Sequence, residues 1–261
     1  MLAKLKKIRL RTVVQTALFG LFAYLITATT WNPPQFFPVD FFLKYDPLLN
    51  LQAAIAAREV GLWLLSGCVF LILALFFGRF FCGYVCPTGA FLELGEKLIY
   101  GRKKRLWKNS DRKARWLKYG VLFFVFASAL LGAGAAYLVD PISWITRLFA
   151  YAIAPAVYSV GNAALDSGRP LLEWAGFFEL SRAELAAPVF GFAGILAAAF
   201  FAFLFWLSRY QSRFWCRSVC PLGALLAVPA RFSLFKRAVG DACDADGKCG
   251  RVCPSGAIKD D

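Results

Sequence analysis

In a chain of 261 residues, 59% hydrophobic and only 18% charged, the composition is that of a membrane protein rather than a soluble domain. Histidine is absent, so His-ligated haem, Cys-x2-Cys-His haem attachment, His-built zinc-hydrolase sites and Ser-His or Cys-His catalysis are excluded. The net charge of +14 invites a nucleic-acid reading, but its placement along the chain argues for membrane topology and against nucleic acid.

Four uncharged apolar runs, 13–30, 60–77, 119–139 and 188–207, are each about as long as the roughly 17–25 residues a membrane span needs. Residues 1–11 form a basic tail ahead of the first run, with no convincing small-residue cleavage site after it, and this predicts an uncleaved first helix. Lys and Arg number 25 in the two tails and the loop 78–118, against 5 in the loops 31–59 and 140–187. Both termini and the central loop, with its cluster Arg102, Lys103, Lys104 and Arg105, are therefore expected on the cytoplasmic side, the cluster near anionic lipid. A fifth uncharged stretch, 148–165, contains Pro155, Gly161 and Asn162 and is expected to be an outer-surface or re-entrant helix.

The second run leads into Arg79-Phe-Phe-Cys82-Gly-Tyr-Val-Cys86-Pro87-Thr-Gly89-Ala90, and the fourth into Arg213-Phe-Trp-Cys216-Arg-Ser-Val-Cys220-Pro221-Leu-Gly223-Ala224, 134 positions later. One Cys-x3-Cys-Pro is weak evidence; two matching copies, each at the end of an apolar run, are strong. The spacing matches the last part of the bacterial ferredoxin run, whose thiolates hold an iron–sulfur cluster. Arg79 and Arg213 stand ready to balance thiolate charge, and the same residues also serve as membrane-edge anchors. In a reducing compartment, a metal or cluster role is favoured over a disulfide. Asp46-Pro47 and Asp140-Pro141 extend the repeat, lying 36 and 76 residues ahead of Cys82 and Cys216. Two helical hairpins related by a pseudo-two-fold axis along the membrane normal would bring Cys82, Cys86, Cys216 and Cys220 to one site.

Aromatic residues crowd the outer loops: Trp31, Phe36, Phe37, Phe41, Phe42, Trp144 and Phe149. An interfacial aromatic belt is the favoured reading over a quinone pocket. Asp40, Asp46 and Asp140 read more cheaply as helix caps than as acceptors of quinol protons. Cys68 lies mid-helix and reads as a small buried hydrophobe. Beyond Arg237 the chain turns small, polar and cysteine-rich. On the pattern Cys-x2-Cys-x2-Cys-x3-Cys-Pro, Cys243, Cys249 and Cys253 fill places one, three and four, and Asp246 fills place two.

On these motifs the chain resembles the membrane-bound 4Fe–4S polyferredoxin-like family, which includes the NapH-type quinol-dehydrogenase membrane component and the nitrous-oxide reductase regulator type. The resemblance covers nearly the whole chain. It implies electron exchange between the quinone pool and redox partners, with Cys82, Cys86, Cys216 and Cys220 matching the paired membrane motifs. Cys243, Cys249 and Cys253 match ferredoxin ligands. Members commonly carry two complete ferredoxin motifs, whereas this chain has one, with aspartate in its second place.

The expected architecture is an all-α integral membrane protein of the bacterial inner membrane, with four transmembrane helices as two repeated hairpins and a small C-terminal ferredoxin-like segment. The units are the tail 1–11, the hairpins 12–118 and 119–238, and the iron–sulfur segment 239–261. One or two 4Fe–4S clusters are expected, the C-terminal one Asp-ligated or three-iron, with quinone, lipid and other redox subunits or ferredoxin-type proteins as partners. The rival reading from another class is a thiolate-based metal-handling or assembly factor that binds or reduces copper for another enzyme. A metal transporter is disfavoured, because the four runs lack intramembrane charge. Topology reporters fused after Leu106, Arg169 and Arg237 are expected to read inside, outside and inside. An inside signal at Arg169 overturns the four-helix arrangement.

Overall fold

The computed structural model describes residues 10–31, 38, 40–78, 80–101, 114–174 and 191–235. Arg79, the 102–105 cluster, Phe36 and Phe37, and the tail ligands Cys243, Asp246, Cys249 and Cys253 lie outside the described residues. Every regular element among the described residues is helical. The first half runs α1 (Leu10–Trp31), α2 (Phe41–Lys44), α3 (Pro47–Ala57), α4 (Trp63–Phe77), α5 (Phe80–Tyr84) and α6 (Pro87–Tyr100). The second runs α7 (Ala114–Leu130), α8 (Ala136–Val139), α9 (Pro141–Leu148), a π-helical turn (Phe149–Ile153), α10 (Ala154–Trp174), α11 (Phe192–Leu207), a second π turn (Trp215–Val219), α12 (Pro221–Leu225) and α13 (Ala227–Ala230).

The repeat seen in the motifs is a repeat of structure. Each half has a long helix, a single turn, an Asp-Pro helix, an apolar helix and a Cys-x3-Cys-Pro turn leading into a further helix. Packing repeats as well: α1 lies on α5 and α6, α7 on the second π turn and α12, α3 on α4, and α9 on α11. Across the halves, α6 meets α9 and α12 meets α3. The added length of the second half is partly α10, which continues α9 and the first π turn without a break from Pro141 to Trp174.

Local sequence explains where the helices stop. The α7 helix ends in a Schellman arrangement: Gly132, at φ 79°, donates its N–H to Ala129 O at 2.9 Å, and Ala133 donates to Ser128 O at 2.9 Å. The last carbonyls of α4, Leu75 O and Phe76 O, accept from Leu234 N and Phe235 N at 3.1 and 3.2 Å. The chain thus enters the C-terminal segment from beside the first cysteine motif.

The four predicted spans all form helices, but three are short. Among the described residues α4, α7 and α11 have 15, 17 and 16 residues. At 1.5 Å per residue they reach about 22–26 Å, under the ~30 Å of a bilayer core. The one described helix long and apolar enough to cross by itself is Pro141–Pro170. That helix contains 148–165, the stretch expected to be too broken to span. Pro155 is accommodated directly after the π turn, whose wider winding loosens the ladder where a residue without an N–H must fit.

The core is aliphatic at its centre, with Leu48, Leu92, Val125, Ile142, Ile145 and Leu222 sealed from solvent, and is flanked by interlocked rings. Phe22 packs edge-on against Phe42 at 5.3 Å and Phe149 at 5.5 Å, and Phe91 against Phe201 at 5.2 Å. Phe42 and Phe149 were expected in an interfacial belt or a quinone pocket and are instead core packing. The segments that carry them fold back into the bundle.

Gly194 on α11 lies directly against backbone of the first π turn. A Cβ there would stand 2.3 Å from the carbonyl oxygen of Tyr151, in the first π turn. Because that neighbour is backbone, Gly194→Ala is expected to force α11 outward and to destabilise the protein by about 1–3 kcal/mol. Thermal unfolding in detergent measures this, with Gly20→Ala, which has open space around it, as the variant that does not destabilise.

Candidate functional site

Each cysteine motif folds as a helix start. Pro87 and Pro221 occupy the first helical position, where a missing N–H costs nothing and the fixed φ is already helical. The residue before a proline is driven to extended backbone. Cys86 (φ −60°, ψ 117°) and Cys220 (φ −56°, ψ 113°) obey this and become the N-caps of α6 and α12. The Sγ of Cys220 accepts the Gly223 N–H at 3.3 Å. The Gly89 amide acts on Cys86 in the same sense, favouring its thiolate.

The repeated glycine has a packing reason. A Cβ on Gly89 would lie 3.1 Å from Cys82 O, and one on Gly223 would lie 3.5 Å from Cys216 O. The loop between each pair of cysteines closes over its glycine, which holds the first thiol beside the second.

The two motifs meet. Each of the six pairs among Cys82, Cys86, Cys216 and Cys220 interacts electrostatically, so the four thiols form one group at the junction of the halves, with Cys86 and Cys220 buried and Cys82 and Cys216 half-buried. None of them is disulfide-bonded. Burial pushes the thiols of Cys86 and Cys220 well up from the ordinary range and Cys216 up to about 11, and neighbouring thiols push the same way. Such a cradle holds thiolates only around a cationic partner. Among the described residues no three Cys, Asp or Glu side chains are grouped for a single metal ion.

Arg213 ties the motifs together. Its backbone is left-handed at φ 53°, which costs a non-glycine residue on the order of 1–3 kcal/mol. In that geometry its N–H donates to Glu96 Oε1 at 2.6 Å, and its guanidinium donates to Gly89 O at 2.8 Å and to Glu93. Glu93 also takes Arg11 and, at 3.1 Å, Lys97, and Arg11 donates to Gly83 O at 3.2 Å. The guanidinium predicted to balance thiolate charge is thus bonded to the other half, while its charge still favours the Cys216 thiolate.

Arg217, inside the second motif and nearly buried, acts on Cys216 in the same sense. It stands where the first motif has Gly83. Sequence reading passed over Arg217, Glu93, Glu96 and Arg11. The available signal was a pair of carboxylates three residues apart, just behind a cysteine motif and in an otherwise apolar stretch.

Asp46 and Asp140 are fully buried helix caps, as predicted. Asp46 Oδ1 accepts from Leu48 N at 2.8 Å, and Asp140 Oδ2 accepts from Ser143 N at 2.7 Å. Their location was not predicted. The Asp-Pro turns were assigned to the face opposite the cysteines, yet Asp140 lies close enough to act on Cys86, and Thr88 Oγ1 donates to Pro141 O at 2.7 Å.

A family model described as a 4Fe-4S binding domain matches the chain twice, over residues 60–106 and 190–240. Each match contains one Cys-x3-Cys-Pro motif. The methylamine utilization ferredoxin-type protein MauN of Paracoccus denitrificans (strain Pd 1222) is 30% identical over 220 residues, covering 80% of this chain and 60% of that protein. The ferredoxin-type protein NapH of Haemophilus influenzae is 26% identical over 218 residues, covering 82% of this chain and 61% of that protein. The chain therefore spans about three-fifths of the length of these relatives. No solved structure matches it. Two copies of the 4Fe-4S binding-domain model, and ferredoxin-type relatives aligned over about four-fifths of its length, support a NapH-like polyferredoxin family for this chain.

Proposed function

We propose that Cys82, Cys86, Cys216 and Cys220 together ligate one 4Fe–4S cluster, and that the protein passes electrons through it as a subunit of a membrane-bound oxidoreductase. The observation that carries this is the mutual approach of the four thiols. Each motif supplies two, and Arg213, bonded to Glu93 and Gly89, fixes one pair against the other. The donor set fits: four soft thiols, an amide N–H on sulfur, two guanidinium charges and a dry surround. A cluster held there supplies one-electron exchange at a potential set by charge, hydrogen bonds to sulfur and burial. The chain's own residues exclude water, hold the sulfurs in place and offset part of their negative charge.

The membrane reading is supported by what the long helices turn outward. Val160 on α10, Phe123 on α7 and Phe192 on α11 are each 70% exposed or more. Exposed apolar surface on these three helices suits lipid. The distribution of basic residues supports a multi-pass inner-membrane reading with both termini and both motifs on the cytoplasmic side. Redox proteins are the proposed partners on that side, with the quinone pool as the membrane-side partner implied by the family. Cys243, Cys249 and Cys253, with Asp246 in the second place, are proposed to hold a further cluster in the tail. A carboxylate is a harder ligand than thiolate and holds its iron less firmly.

Two sets of variants test these assignments. Cys82→Ser and Cys216→Ser are each expected to abolish the same cluster signal in electron-resonance and visible spectra of anaerobically purified protein, with matching loss of iron and sulfide. Loss of two different signals overturns the shared site. Asp246→Cys is expected to convert a labile, oxygen-sensitive cluster into a stable four-iron form with an altered resonance signal. If Asp246→Cys and Asp246→Ala both leave spectrum and iron content unchanged, Asp246 is not a ligand.

A further inference from the structure

Electron transfer through the thiol cradle makes no use of Asp46 and Asp140, yet these carboxyls are completely buried beside it. Each commits one oxygen to its helix cap. The remaining oxygens, Asp46 Oδ2 and Asp140 Oδ1, receive no N–H or O–H from any other described group. The two carboxyls act on each other. Carboxylate oxygens only accept, so a bond between two of them requires a proton. Two full charges facing each other without water are costly, and such a pair holds at least one proton between them.

Burial first, then the charge of Asp140, raises Asp46 well above the carboxylate range. Burial raises Asp140 too. The two carboxyls therefore share a proton as a pair. The groups facing the pair are Ser143 of α9 and the Leu48 amide of α3, while Cys86, capping α6, feels the Asp140 charge. The cations of the cradle, Arg213 and Arg217, and the carboxylate Glu96 act on Cys216. Among the described residues, the bonds to the pair come from the amides of Leu48 and Ser143.

Resting on the shared-cluster reading, we propose that Asp46 and Asp140 form a redox-linked proton site, in which the carboxyl pair gains a proton when an electron enters the thiol cradle and releases it when the electron leaves. The balance is simple. A one-electron donor adds one negative charge to the cradle, and solvent supplies one proton to the carboxyl pair. The pair passes from one shared proton to two, and the buried core keeps its net charge. In a low-dielectric interior an added negative charge raises the proton affinity of a nearby carboxylate, which drives the uptake. Oxidation reverses each step.

The experiment is a potentiometric titration of the full-length protein in detergent, followed by electron resonance at a series of pH values. Uptake with reduction makes reduction easier as pH falls. The midpoint potential of the wild type is expected to rise with falling pH, approaching tenfold in equilibrium constant, or 59 mV, per pH unit. Asp140→Asn and Asp46→Asn retain a capping oxygen but remove the titrating pair, and are expected to flatten that slope. A pH-independent wild-type potential, or an unchanged slope in both variants, overturns the proposal while leaving the cluster in place. If wild-type protein gives no cluster signal, the shared-cluster reading fails and this one with it. Should the variants not load a cluster, reduced-minus-oxidised infrared spectra of the wild type decide. A carboxylic-acid C=O band that grows on reduction and shifts in heavy water supports the site, and its absence overturns it.

Discussion

The structure depends on four helix starts that meet at one place. Proline occupies the first position of α3, α6, α9 and α12, so each start is fixed to within a residue. The caps that precede them are Asp46, Cys86, Asp140 and Cys220. In each case proline forces its predecessor into extended backbone and turns that side chain back towards the amides of the first turn. Because α6 packs on α9 and α12 on α3, the four caps belong to one junction. A fold that did no more than bury apolar surface would not need them there. Their arrangement makes sense as a way of delivering polar side chains to a dry centre without leaving the helix ends unsatisfied.

What holds the junction in register is ionic, and it is one-sided. Glu93 and Glu96 of the first half correspond by repeat to Ala227 and Ala230 of the second. Only one motif helix therefore carries carboxylates to its partner. Glu93 gathers Arg11, Lys97 and Arg213, and Glu96 takes the Arg213 amide. Buried ion pairs return little net stability, because desolvation consumes the attraction, but removing one partner leaves an uncompensated charge that is expensive. The network is best understood as setting the register between the halves. It also offsets the left-handed strain at Arg213, since that backbone geometry aims both the N–H and the side chain at α6.

Much of this could be read from the residues. The duplication, the helical class, the pairing of the two cysteine motifs and the capping role of Asp46 and Asp140 follow from local patterns, in which Pro, Gly and Cys act within a few residues of themselves. What could not be read was depth. Hydropathy reports that a segment avoids water, and lipid and protein interior satisfy it equally. Phe42 and Phe149 were accordingly assigned to an outer rim when they pack against Phe22, and 148–165, expected as a separate outer-surface or re-entrant helix, is part of a longer helix that a π turn ahead of Pro155 lets continue. The clamp was missed for a related reason. The partners Arg213 and Glu93 lie 120 residues apart, and no short-range pattern links them.

The asymmetry of the clamp bears on the cradle itself. An exact two-fold repeat would give all four thiols the same field. Here the cations fall at one corner, where Arg213 and Arg217 both favour the Cys216 thiolate, while Asp140 disfavours charge on Cys86. The second motif gained its extra cation at the position where the first has Gly83, whose carbonyl is taken by Arg11. The charges around Cys216 therefore differ from those around Cys86. Duplication supplied the four sulfurs, and the departures from duplication, Arg217 for Gly83 and Glu93 for Ala227, give the site two distinguishable ends.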